Sequence, residues 1–140
     1  MGSCRNLVFL SHILINVVGL IVSQPDFLFI DCGEGFGNYT TNSTYQTNLD
    51  TLLFSLSSNI NSYGFYNTSS GENPDRVNVI VLCRGDVDLD TCRGCISNAT
   101  SKITQDCPNS KEAIGWYNLC MARYSNESID GQVKTSPMAK

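Results

Sequence analysis

The cysteines constrain this chain more than any other feature. Seven occur in 140 residues, at positions 4, 32, 83, 92, 95, 107 and 120, and the first stands apart from the rest. Cys4 lies in a leader, where Arg5 precedes the apolar runs Leu7–Leu10 and Ile13–Val22, and Ser23-Gln24-Pro25 closes the stretch. That is the layout of a secretory signal peptide. Ser11, His12 and Asn16 interrupt the apolar run, which falls short of the roughly 20 apolar residues that a membrane-spanning helix needs. The reading is therefore a signal peptide over residues 1–23, cleaved near Ser23, and no membrane span.

Removal of the leader leaves six cysteines from Gln24 onward, the even number expected of a disulfide framework in an oxidising compartment. The one histidine, His12, leaves with it. Loss of Arg5 makes the formal charge of −4 one unit more negative, and no basic stripe remains to neutralise phosphates, which argues against nucleic acid as a partner. Asn38, Asn42, Asn67, Asn98 and Asn126 each open an N-x-[ST] glycosylation acceptor, a set that fits secretion.

Phe27-Leu-Phe-Ile-Asp-Cys32 reads as a first strand and Gly33-Glu-Gly-Phe-Gly37 as a turn, because no helix pattern or lysine follows to make it a phosphate loop. Leucines at 49, 52, 53 and 56 make the stripe of an amphipathic helix from Thr44, a plausible cap, to Ile60. A short strand is expected around Phe65 and Tyr66, and Val77–Cys83 is β-branched and apolar, a buried strand. A second helix starts at Asp90-Thr91, puts Cys92, Cys95, Ile96, Ala99 and Ile103 on one face, and ends by Pro108. Glu112 to Tyr124 reads as one long strand or a hairpin. The domain thus spans 24–130, with 131–140 a tail or linker.

Cys83-Arg-Gly-Asp-Val-Asp-Leu-Asp-Thr-Cys92-Arg-Gly-Cys95 concentrates the chemistry that such a chain could carry. Zinc needs four ligands, and Cys92 with Cys95 supplies half a site, with no histidine to complete it. A redox pair would need a different fold context. Asp86, Asp88 and Asp90 imitate the start of a calcium loop, but Thr91 stands where that loop needs glycine and Ser97 where it needs glutamate. Arg84-Gly-Asp86 is too short to carry an adhesion function alone. Nucleophilic catalysis of the usual kind needs a base that a histidine-free mature chain lacks, so no catalytic residue, metal or cofactor is expected.

The C-x8-C-x2-C core closely resembles the plant ginkbilobin-homologous (stress-antifungal) domain. So do the words around it: Cys83-Arg-Gly-Asp86, Cys107-Pro-Asn, Glu112-Ala-Ile-Gly-Trp116-Tyr, Cys120-Met-Ala-Arg-Tyr124-Ser-Asn, Asn38-Tyr-Thr-Thr-Asn-Ser-Thr-Tyr45 and Gly64-Phe-Tyr. Six cysteines can pair in many ways and spacing alone does not choose. The resemblance implies Cys32–Cys107, Cys83–Cys92 and Cys95–Cys120, in an α+β fold of two helices packed on an antiparallel sheet. It implies a secreted, non-enzymatic recognition module of the cysteine-rich receptor-like kinase and secretory family, acting in stress or defence signalling at the cell surface through a protein or glycan partner. The alternative is a soluble antifungal mannose-binding lectin. A mannose-binding member of the family contacts sugar through an Asn, an Arg and a Glu, whose matching positions here are Gly33, Ile114 and Ser125, so that set is not retained.

Overall fold

The computed structural model describes residues 3–9 and 25–129; the expected cleavage point near Ser23 and the tail 131–140 lie outside them. Residues 3–9 are helical. The domain then runs β1 (Phe27–Asp31), α1 (Thr44–Asn59), β2 (Phe65–Ser70), β3 (Val77–Cys83), α2 (Leu89–Asp106), β4 (Glu112–Tyr117) and β5 (Cys120–Ser125). The strands form one sheet in the order β1-β4-β5-β3-β2, with every neighbouring pair antiparallel.

The caps set both helix starts, and each lies earlier than the sequence suggests. Ser43, not Thr44, caps α1, its Oγ accepting from the Gln46 N–H at 3.3 Å. Asp88, not Asp90, caps α2 by accepting from the Thr91 N–H at 2.9 Å. In both cases an oxygen-bearing side chain in extended backbone satisfies a donor that the first turn leaves unpaired. α2 ends where the Cys107 N–H bonds to the Ile103 carbonyl, one residue before Pro108.

Glu112 to Tyr124 is a hairpin. Asn118 and Leu119 form its turn, and Asp26 holds it: the Asn118 N–H donates to the Asp26 carbonyl at 3.0 Å, and the Asp26 N–H donates to Asn118 Oδ1 at 3.0 Å. The strand near Phe65 extends to Ser70, because each of its residues finds a partner on β3.

The core lies between the helices and one sheet face. Leu49, Leu52 and Leu56 of α1 and Ile96, Ala99 and Ile103 of α2 meet Val77, Val79, Val81, Ala113, Ala122 and Tyr124, all buried. A Cβ on Gly115 would stand 2.6 Å from Ile103 Cγ2, so α2 rests directly on the β4 backbone and the glycine is required by that approach. The same contact fixes the strand's facing. Ala113 and Gly115 look toward the helices, whereas Glu112, Ile114 and Trp116 look away.

Candidate functional site

The cysteine-rich stretch is spent on architecture. Cys83 at the end of β3 bonds Cys92 in the first turn of α2, Cys95 one turn later bonds Cys120 at the start of β5, and Cys32 after β1 bonds Cys107 after α2. Both ends of α2 are thereby tied to the sheet. Cys4 is a free, exposed cysteine.

Each aspartate of the stretch has its own local task. The Arg84 guanidinium pairs with Asp86 and also donates from Nη1 to the Asn118 carbonyl at 3.2 Å, so the two charges of the Arg-Gly-Asp tripeptide neutralise each other. That pairing holds the Asp86 carboxyl below its ordinary range and raises Arg84. Asp88 is held low by the Thr91 N–H and hydroxyl that it caps, and Asp90 lies 3.8 Å from Arg93. Among the described residues no group of three His, Cys, Asp or Glu could hold a metal ion.

The positions implied to contact sugar converge on the sheet face away from the helices. Glu112 lies opposite Ser125, and Ile114 opposite Arg123. Arg123 Nη2 donates to Glu112 Oε1 at 3.1 Å and Ser125 Oγ donates to Glu112 Oε2 at 3.1 Å, all three side chains being buried. Gly33, at φ +52°, presses on this group so closely that a Cβ there would be 2.7 Å from Glu112 Cβ. The turn is clamped by the Lys111 N–H donating to the Gly37 carbonyl at 3.0 Å and by the Asn38–Ser110 bridge. Ile114 is 7% exposed and Ser125 1%. The three positions are neighbours, gathered around a buried ion pair and a closed turn.

Next to this closed polar end lies an open apolar row. Across the five strands the register aligns Phe29, Trp116, Met121, Leu82 and Phe65 side by side, all on the face away from α1 and α2. Leu82 is 45% exposed and Phe65 36%. Of the acceptor asparagines, Asn38, Asn42, Asn67 and Asn98 are exposed, whereas Asn126 is half-buried and its Oδ1 is enclosed.

Glu112 and Arg123 escape a reading by residue type, because each is a single charge in an apolar strand. The available signal is the turn. A two-residue connection at Asn118–Leu119 fixes the register and puts the two charges on one face as a diagonal cross-strand pair.

Residues 31–127 match the family described as salt stress response/antifungal. Cysteine-rich receptor-like protein kinase 26 of Arabidopsis thaliana is 46% identical over 84% of this chain, and cysteine-rich repeat secretory protein 38 of the same plant is 34% identical over 95%. The chain spans 18% of the kinase and 56% of the secretory protein. The crystal structure of the tandem DUF26 ectodomain from the Arabidopsis thaliana cysteine-rich receptor-like protein PDLP5 superposes with a TM-score of 0.68 at 28% identity, over 74% of this chain and 51% of that one. No helix among the described residues is long and apolar enough to cross a membrane.

Proposed function

We propose, since this chain belongs to the salt stress response/antifungal family, that it acts as an extracellular, non-enzymatic recognition module, exported through a leader cleaved near Ser23 and folded over residues 24–130. Its partner is a protein or glycan met at the plant cell surface during stress or defence signalling. The observation that carries this reading is the closure of all six framework cysteines into disulfides within one family-matched domain. Such a framework persists in oxidising, extracellular surroundings and would be reduced in the cytosol. Relatives that are receptor-like kinases and secretory repeat proteins support the same place of action.

The burial around Glu112 weighs against the sugar-binding alternative. With Gly33 lacking a side chain and Ile114 and Ser125 turned into the Glu112–Arg123 group, recognition uses other surfaces, the open apolar row among them. A glycan array probed with the oxidised, secreted protein tests this. The expected result is no binding to mannose-terminated glycans. Clear, competable mannose binding overturns the assignment in favour of the lectin.

A further inference from the structure

We infer that Asn67 is an N-glycosylation acceptor whose first sugar packs on the Phe65 ring and fills the groove at the outer edge of the sheet. The inference rests on the extracellular reading above, since the sugar is added during secretion. Among the described residues β2 is an edge strand, paired with β3. Its alternation sends Phe65, Asn67 and Ser69 to the face away from α1 and α2, opposite Leu82, Ile80 and Asn78. Asn67-Thr68-Ser69 is an acceptor triplet with the Ser69 hydroxyl at its third position.

The aromatic ring stands two residues before the acceptor on the same strand and face, so the two side chains emerge about 6.5 Å apart. One pyranose ring bridges that distance. Its C–H face can lie on the Phe65 ring, removing from water an aromatic side chain that is 36% exposed. Beside it lies a groove of about 410 Å³ lined by Phe65, Asn67, Ser69, Arg76, Asn78 and Ile80. It falls within the roughly 300–1,000 Å³ of small-ligand pockets. Arg76 offers donors to sugar hydroxyls there, its guanidinium already reaching Ser69 Oγ at 3.4 Å and Asn78 Oδ1 at 3.3 Å, while Asn78 Nδ2 is spent on the Ser125 and Glu127 carbonyls.

The transfer balances without a redox step. Asn67 Nδ2 forms a C–N bond to the anomeric carbon of a lipid-pyrophosphate-linked oligosaccharide, the C–O bond to pyrophosphate breaks, the lipid pyrophosphate departs, and one amide proton is lost to solvent. The attached glycan then covers the free edge of β2, where exposed backbone groups would otherwise template pairing with another chain. It also leaves only the Met121, Trp116 and Phe29 end of the apolar row open to a partner.

The test is glycopeptide mass spectrometry on the full chain secreted from plant cells, followed by melting. Asn67 should carry sugar. Ser69→Ala, which removes the acceptor, should lower Tm by about 4 °C, and peptide N-glycosidase treatment of the folded protein, which leaves aspartate at each released acceptor, should reproduce the drop with Ser69 intact. Ser69→Thr keeps the acceptor and should melt as the parent does. In a Phe65→Ala background, sugar removal should cause no further drop. If Asn38, Asn42 and Asn98 carry sugar and Asn67 is bare, this inference fails while the extracellular reading stands. If no acceptor in the secreted chain is modified, this inference fails as well; if the chain does not reach the medium at all, the extracellular reading itself has failed. If sugar removal lowers Tm equally with and without Phe65, or not at all, the packing on the ring is overturned.

Discussion

Gly33 combines two demands that no other residue type meets here. Its φ of +52° lies in the left-handed region, and its missing side chain admits Glu112. Gly33→Ala should therefore cost about 2–3 kcal/mol, from backbone strain and overpacking together, as measured by urea denaturation. The ion pair beneath it behaves as a unit. Arg123→Met alone leaves the Glu112 carboxylate buried without that partner and should destabilise by about 3–5 kcal/mol, whereas Arg123→Met with Glu112→Leu should recover most of the loss. Equal losses for the single and double variants would contradict a paired role.

The phenols of Tyr45 and Tyr124 are raised above their ordinary value, mainly by burial, with neighbouring tyrosines pushing the same way. Each donates its hydroxyl to a backbone carbonyl, that of Lys111 at 2.7 Å and that of Ser110 at 3.1 Å. A raised folded-state value means that the unfolded chain loses these protons first. Their contribution is intact below about pH 10, the ordinary phenol value, and is lost as pH rises from there toward the raised folded values. Absorbance at 295 nm should show both phenols ionising together with unfolding, and Tyr45→Phe with Tyr124→Phe should flatten the alkaline loss of stability. The cysteine positions and the buried helix face were legible residue by residue. Glu112 and Arg123 were not, because their meaning depends on a register that a single residue does not disclose.

Among the elements, strong periodicity was readable and boundaries less so. The leucine stripe of α1 and the apolar run of β3 each carry their own signal, since burial on one face requires it. The hairpin of β4 and β5 does not, because the residues on either side of its turn are as apolar as a continuous strand. Asp26, more than eighty residues upstream by sequence, holds that turn, and no local pattern reveals such a contact. Two variants test how α2 is held. Gly115→Ala pushes a methyl into Ile103 and should cost about 1–3 kcal/mol. Cys95→Ser releases α2 from β5 and should cost about 2–5 kcal/mol, enough to block secretion of so small a domain, while leaving Cys120 free to cross-link. Normal secretion of Cys95→Ser with Cys120 bridged to another framework cysteine would contradict the docking of helix on sheet.

At the scale of the molecule, the disulfides compensate for a core that one five-stranded sheet and two helices supply alone. In the loop-entropy description the bridges closing 75, 25 and 9 residues limit the unfolded chain by about 4.5, 3.5 and 2.6 kcal/mol in turn. The pairing was legible only through resemblance to a family, since equal spacing arguments serve several connectivities. Stability and the proposed extracellular setting thus rest on the same six sulfurs. The most direct measurement is peptide mapping under non-reducing conditions, after alkylation, of protein recovered from the medium of a secreting host. The disulfide framework requires three bridged peptide pairs, Cys32–Cys107, Cys83–Cys92 and Cys95–Cys120, with no alkylated cysteine. An alkylated framework cysteine, or any other pairing in the secreted and folded protein, would contradict it.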